Sequence, residues 1–138
     1  MLNDTSTRRF TDMDADALKA SLSAFEGTCV VATVNPDGTP NAAIFVPSMP
    51  DEDHLILILA DNHTRANIER TGIACAVYSV SRPQATEKKD RIAGARLSLS
   101  LVRNSGETAK EHERVAASFP QMNPAVMIFR IERIDPVG

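Results

Sequence analysis

The stretch that decides the fold runs from Thr28 to Asn67. It begins TCVVATVNPDGTPNAAIFVP at 28–47, continues through the apolar run HLILILA at 54–60, and ends DNHTRAN at 61–67. The first part predicts a β-hairpin, because the proline and the glycine of Asn35–Gly38 favour the backbone torsions of a tight turn. The last part predicts a helix that begins directly after a buried strand.

The start of the predicted helix carries consecutive side chains that suit an anion. His63, Thr64 and Arg65 offer an imidazole, a hydroxyl and a guanidinium. The first N–H groups of a helix lack intrahelical acceptors, and the helix dipole places partial positive charge there. The segment therefore predicts a phosphate site. Plain helix capping by Asn62 or Thr64 is the alternative.

Length and composition limit the kind of protein. The 138 residues are 43% hydrophobic and carry a net charge of -3, which predicts a single domain with a sizeable core over residues 1–138. This acidic balance argues against nucleic acid and anionic membranes, which are bound through an excess of Lys and Arg. No apolar run approaches the roughly 20 residues that span a bilayer, and the polar start lacks the apolar centre of a secretory signal. We therefore expect a cytoplasmic protein.

The cysteines and histidines do not indicate a metal site. Cys29 and Cys75 are far apart in the sequence and lie in apolar strand patterns, so buried thiols are expected. His54, His63 and His112 fall on different predicted elements, and no two have the i, i+4 spacing of a helical metal site. No metal bound by the protein is expected.

Hydrophobic patterns predict six strands and two or three helices. Thr11 or Asp12 caps a first helix, and Gly27 is expected to end it in the left-handed conformation. Beyond the quoted stretch, alternation and turn residues predict strands at 73–80, 91–101 and 125–134, a polar loop at 81–90 and a helix at about 105–118.

Short strands joined by tight turns favour a closed or nearly closed antiparallel barrel. Leu55–Leu59 and Ile73–Tyr78 are apolar at nearly every position, which predicts strands buried on both faces. The few helices cannot cover these strands together with Ala42–Val46. We therefore expect a homodimer that covers the remaining apolar surface.

The chain resembles the FMN-binding split-barrel proteins, the group that includes pyridoxamine 5'-phosphate oxidase and small FMN-binding proteins. The resemblance spans nearly the whole length and rests on motifs in a fixed order: VATV at 31–34 with DGTP at 37–40, HTRANI at 63–68, the strand at 73–80, and GARL at 94–97. It implies a mainly β fold with flanking helices, a six-stranded antiparallel split β-barrel. It also implies that FMN lies in a groove at the interface of a homodimer.

The resemblance further implies which residues meet the cofactor. His63, Thr64 and Arg65 would bind the phosphate, and the segments 44–47 and 60–61 would border the ring. With the cap residue and an apolar lid residue, the implied set is Ile44, Phe45, Val46, Pro47, Ala60, Asp61, Asn62, His63, Thr64, Arg65 and Met122. Core packing alone is the alternative for 43–46, and ordinary loop packing is the alternative for Phe119–Met122.

Departures from the resemblance limit the activity that it implies. The strand at 41–45 lacks the basic residues of pyridoxamine 5'-phosphate oxidases, and no Trp is present for their substrate-binding tail. Oxidation of pyridoxamine phosphate is therefore not expected.

We expect instead an FMN-dependent oxidoreductase such as a flavin reductase, with NAD(P)H or a redox protein as its electron partner. An electron carrier that holds FMN, a split barrel with a deazaflavin and one without cofactor are the alternatives. The sequence identifies no catalytic residue, because the flavin supplies the redox chemistry.

Overall fold

The computed structural model describes residues 13–103, 106–119, 121 and 123–137. Its elements are helix α1 (Ala15–Ser23), strands β1 (Thr28–Val34), β2 (Pro40–Phe45), β3 (Ser48–Asp51) and β4 (His54–Leu59), helix α2 (His63–Thr71), strand β5 (Ile73–Ser81), a 3-10 turn (Lys88–Asp90), strand β6 (Ile92–Leu101), helix α3 (Gly106–Ser118) and strand β7 (Ala125–Asp135).

The described residues form seven strands, so the predicted number of six is wrong by one. The additional strand is β3, which pairs with β4. The sequence does not predict this strand, because it contains Pro50 and proline is unfavourable inside most strands. An edge strand tolerates proline, and β3 lies at an edge of the sheet.

All seven strands belong to one antiparallel sheet with the order β2-β1-β5-β6-β7-β4-β3. The two edge strands, β2 and β3, are also neighbours in the chain and are separated by Val46 and Pro47 alone. Three Cα–Cα steps span at most about 11 Å, so the two edges of the sheet must meet at this link. The sheet is therefore curled into a split barrel with flanking helices, as the sequence predicts.

The core lies inside the curl, where alternate side chains of each strand point. β4 contributes Leu55, Leu57 and Leu59. Helix α1 adds Leu18 and Leu22 from one end of the barrel. The buried apolar side chains of the strands and of α1 thus form one continuous cluster.

The single chain does not cover the outer faces of β4 and β5, so the prediction that these strands are buried on both faces depends on the expected second copy. Ile58 of β4 and Ile73 of β5 are exposed on the outer face of the sheet. The strand that is covered on both faces is β7, because α3 packs Val115 against its outer residues Val126 and Ile128. Helix α3 does not extend this cover to the outer face of β5.

The β1–β2 hairpin has the predicted turn. Gly38 adopts a φ of 86°, which is the left-handed conformation that glycine accepts without strain. The Asp37 carboxylate accepts a hydrogen bond from the Thr39 N–H at 3.0 Å. The turn is therefore fixed by local residues.

Helix α1 begins at a cap that the sequence analysis did not select. Asp14 is the N-cap and accepts a hydrogen bond from the Ala17 N–H at 2.8 Å. The predicted caps, Thr11 and Asp12, lie outside the described residues. The helices of the described residues have 9, 9 and 13 residues, and none of them is long and apolar enough to cross a membrane.

The predicted left-handed stop at Gly27 is wrong. Phe25 adopts the left-handed conformation instead, with a φ of 55°. Gly27 is needed for close approach, because a Cβ at this position would lie 2.4 Å from the carbonyl oxygen of Ser79. Phe25 ends α1 in the left-handed conformation, because its N–H donates to the Leu22 carbonyl at 3.2 Å and the Glu26 N–H donates to the Ser21 carbonyl at 3.3 Å.

Candidate functional site

Helix α2 begins where the chain leaves β4. Asn62 is its N-cap and accepts a hydrogen bond from the Arg65 N–H at 2.9 Å. The first intrahelical hydrogen bond joins the Ala66 N–H to the Asn62 carbonyl at 3.1 Å. The N–H groups of His63 and Thr64 therefore precede the helical hydrogen bonds, which is the arrangement of an anion site.

His63 and Thr64 differ in exposure. His63 is exposed, whereas Thr64 is only 2% exposed. Thr64 Oγ1 accepts a hydrogen bond from Asn41 Nδ2 of β2 at 3.1 Å. The hydroxyl retains its own proton, so Thr64 can still donate one hydrogen bond.

The third predicted phosphate residue, Arg65, is partly buried and held by two contacts. Its Nε donates to Glu69 Oε1 at 3.0 Å, and its Nη1 donates to the Asn123 carbonyl at 3.1 Å. Asn123 has a φ of 46° and lies just before β7. Glu69 is half exposed, so its ion pair with Arg65 is weak and a phosphate can compete for the guanidinium.

A network of amide and hydroxyl side chains holds α2 against the β1–β2 hairpin, and sequence analysis missed it. Asn67 Nδ2 donates to Thr33 Oγ1 at 3.0 Å and to Asn35 Oδ1 at 2.9 Å. Arg70 Nη1 donates to Asn67 Oδ1 at 3.0 Å, and Arg70 Nη2 donates to the Val34 carbonyl. Asn67 is 2% exposed, so this network holds the buried face of α2 against the hairpin.

The predicted ring segment, Ile44–Pro47, lies where the two edges of the sheet meet. Ile44 and Val46 are 68% and 74% exposed, whereas Phe45 packs against the core and Pro47 is buried. Core packing alone, the alternative for 43–46, thus accounts for Phe45 but not for the exposed Ile44 and Val46. The segment borders a cleft of about 270 Å³ that is also lined by Leu22, Phe25, Cys29 and Tyr78.

A second cleft, of about 370 Å³, shares Val46 and Pro47 with the first. It extends along the outer face of β4 and reaches α3, and we call it the Arg114 cleft. Its lining includes Phe25, Met49, Ile56, Ile58 and Arg114. The two clefts thus place apolar surface of α1, β3 and β4, together with Arg114 of α3, around one exposed link.

The remaining predicted site residues lie outside these clefts. Ala60 and Asp61 are exposed and connect the end of β4 to the cap Asn62. Met122 lies outside the described residues. Phe119, at the other end of the predicted lid, is exposed just after α3.

The cysteines lie in the strands. Cys29 is buried, as predicted, and burial raises the pKa of its thiol to about 11, so it stays protonated at neutral pH. Cys75 is partly buried on the outer face. Among the described residues, no group of three His, Cys, Asp or Glu side chains is close enough to hold a metal ion.

The chain is similar in structure to several proteins of known structure. No family model and no curated protein matches the chain. An FMN-binding protein from Syntrophomonas wolfei has a TM-score of 0.67 and 19% identity, covering 98% of this chain and 90% of its own. A candidate pyridoxamine 5'-phosphate oxidase from Lactobacillus delbrueckii has a TM-score of 0.56 and 16% identity, with 85% and 89% covered. A heme-binding protein from Mycobacterium smegmatis has a TM-score of 0.62 and 16% identity, with 91% and 58% covered.

These likenesses define the fold of the chain as the split barrel of FMN-binding and pyridoxamine 5'-phosphate oxidase-like proteins. The resemblance found in the sequence is thereby confirmed at the level of the fold. Two of these proteins are named for different ligands, FMN and heme, and the third for oxidation of pyridoxamine 5'-phosphate, so the fold alone does not identify the ligand of this chain.

Proposed function

We propose that the protein binds FMN, with the phosphate at the start of α2. The observation that carries the proposal is the pair of N–H groups of His63 and Thr64 that precede the first helical hydrogen bond. The Thr64 hydroxyl and the Arg65 guanidinium lie at the same helix start. A phosphate would there receive backbone and side-chain donors together, in the favourable field of the helix dipole. The FMN-binding protein of the same fold supports this choice of ligand.

The ring of the flavin is proposed to lie beside Ile44–Pro47. Ile44 and Val46 expose apolar surface to water, and a planar apolar ring that covers them removes this unfavourable contact. Ala60 and Asp61 would border the cofactor between the ring and the phosphate, where the Asp61 carboxylate can accept hydrogen bonds from ribityl hydroxyls. Bound FMN supplies hydride or electron transfer, while these residues orient it and exclude water.

A homodimer is proposed to cover the outer face of β2, β1 and β5. The register places Ile44 beside Val30, and Ala32 beside Cys75, on this face. A groove of about 530 Å³ crosses it, and its lining includes the apolar Val34 and Ile73 and the polar Ser98, Ser100 and Glu132. A second copy presents the same apolar face, so a two-fold dimer covers both at once.

The cleft of about 270 Å³ beside Ile44–Pro47 favours an oxidoreductase over an electron carrier. A carrier needs no space for a small substrate next to its flavin, whereas a reductase does. We therefore propose a flavin reductase-like activity with NAD(P)H as electron donor. Oxidation of NADPH or NADH by the FMN-loaded protein would support it. Reduction by a protein donor alone, with no response to either nucleotide, would assign the carrier function instead.

Titration of the apo protein with FMN and riboflavin tests the cofactor assignment. FMN is expected to bind at least about tenfold more tightly, because only FMN carries the phosphate that meets the helix start. Equal affinities would show that the phosphate has no site of its own. An unchanged melting temperature at saturating FMN would contradict the proposal, and the remaining alternatives would be a deazaflavin or no cofactor.

A further inference from the structure

The Arg114 cleft combines an apolar wall with a cation. Ile56 and Ile58 of β4 and Met49 of β3 form part of the wall, and Arg114 is the charged residue in the described lining. Its volume is about 370 Å³, which is in the range of small-molecule sites. A ligand that matches both features has an apolar body and a single negative end.

Arg114 already holds a carboxylate from its own helix. Its Nε donates to Glu111 Oε1 at 3.1 Å, and its Nη2 donates to the same oxygen. The Arg114 side chain is 64% exposed, so the pair is screened by water and contributes little to stability. A carboxylate that enters the cleft can therefore replace Glu111, which acts as an internal competitor.

Phe25 provides a second observation. Its side chain is 77% exposed, although it lines both this cleft and the first one. A phenyl ring in water is unfavourable. An apolar ligand that covers the ring would offset this cost.

We propose that the Arg114 cleft binds a small apolar carboxylate, whose charged end replaces Glu111 on Arg114 and whose body packs against Ile58 and Phe25. This site goes beyond the proposed binding of FMN, because it uses none of the residues assigned to the phosphate. It shares Val46 and Pro47 with the segment assigned to the flavin ring. The carboxylate is therefore expected to lie beside the ring, with both ligands bound together.

The test is a calorimetric titration of the full-length apo protein with 2-naphthoate and with its neutral analogue 2-naphthamide. The wild-type protein is expected to bind the carboxylate at least about tenfold more tightly than the amide, because only the carboxylate pairs with Arg114. Arg114→Gln should abolish this preference while amide binding persists. Glu111→Gln should strengthen naphthoate binding about three- to tenfold and leave amide binding unchanged, because the competing carboxylate is gone.

The controls separate this site from general charge effects and from the flavin site. Arg82→Gln removes an exposed positive charge outside the cleft lining and should leave naphthoate affinity unchanged. Melting temperatures of the variants confirm that they fold. The proposal would be overturned if Arg82→Gln lost as much naphthoate affinity as Arg114→Gln. It would also be overturned if Glu111→Gln bound naphthoate more weakly than the wild type, or if the wild type did not bind naphthoate.

Addition of FMN distinguishes this proposal from the cofactor assignment. FMN is expected to leave bound naphthoate in place. Displacement of naphthoate by FMN would show that the cleft is part of the flavin site itself, and would overturn the second-ligand proposal while supporting the cofactor. Naphthoate binding by a protein that does not bind FMN would support the carboxylate site and remove the cofactor.

Discussion

Helix α2 is held to the β1–β2 hairpin by buried polar side chains, whereas the link between β2 and β3 leaves apolar side chains in water. At α2, Asn67 joins Thr33, Asn35 and Arg70, and no buried side-chain nitrogen or oxygen of the described residues lacks a partner. At the link, Ile44–Pro47 borders two open clefts.

The two regions differ in which groups the single chain satisfies. Its polar groups at α2 have partners within the chain, whereas its apolar groups at the link are left for a ligand or a partner to cover. Buried polar groups must be satisfied within the chain, because an unsatisfied one costs roughly 1–3 kcal/mol. Exposed apolar groups are tolerated, but a contiguous set of them marks an interaction surface. The α2 network is thus a rigid support for the proposed phosphate site, and the link is the surface where we propose that the ring and a second copy bind.

The largest effect is expected from Asn67→Ala, which removes the centre of the polar network. It should lower the free energy of unfolding by about 3 kcal/mol, because the buried Thr33 and the partly buried Asn35 each lose a hydrogen-bond partner and a small cavity replaces the buried amide. Urea unfolding measures the change. Glu69→Ala, on the exposed side of the same helix, is the control and should cost less than about 0.5 kcal/mol. Equal losses in the two variants would contradict a special role for the network.

Ile44→Asp tests the other region. A charge on the outer face of β2 should raise the dissociation constant of the proposed homodimer at least about 30-fold, or roughly 2 kcal/mol, since a carboxylate would be buried at the interface without a partner. Analytical ultracentrifugation measures it. The free monomer should keep its circular dichroism spectrum, because this side chain lies in solvent in the single chain. A wild-type protein that stays monomeric at high concentration would show that the face has another use.

Thr64→Ala tests the proposed contact between the start of α2 and the FMN phosphate. It should weaken FMN binding by about 1–2 kcal/mol, roughly 5- to 30-fold, through loss of one charge-assisted hydrogen bond to the phosphate. Riboflavin affinity should not change. Thr64→Ser keeps the hydroxyl and the contact with Asn41, so it should bind FMN like the wild type. Equal loss for FMN and riboflavin would mean that the substitution acts through the fold.

The smallest effect concerns the β3–β4 turn beside the link. A hydrogen bond from the His54 side chain lowers the pKa of Asp51. A carboxyl with a lowered folded pKa contributes stability above its unfolded pKa and loses it as pH falls through the folded value. The pair is exposed, so the contribution should stay under about 0.5 kcal/mol. The midpoint of urea unfolding should therefore decrease less between pH 6 and pH 3 in Asp51→Asn than in the wild type. An equal decrease in both proteins would show that the Asp51–His54 pair does not contribute to stability.

Sequence-based prediction succeeded where structure is set by neighbouring residues. The Asn35–Gly38 turn and the start of α2 depend on local turn and capping chemistry, and both form as expected. Curling of the sheet also followed from strand patterns and from the resemblance. These features need no knowledge of distant contacts.

Prediction failed where distant contacts decide. Asn67 follows Thr64 by three positions and so shares its helix face, but its buried partners in β1 become visible only in three dimensions. Gly27 has the sequence signal of a helix stop, but Phe25 is the left-handed residue that ends the helix, and Gly27 is needed because β5 lies too close for a Cβ. The short strand β3 has no alternating pattern of its own and forms because β4 offers an edge.

A crystal structure of the protein grown with FMN tests the central claim most directly. The account predicts phosphate oxygens about 2.7–3.0 Å from the Thr64 amide nitrogen and Oγ1, with the ring against Ile44–Pro47 at the contact of two subunits. A phosphate bound away from the start of α2, or a groove occupied by the chain's own side chains in place of FMN, would contradict it.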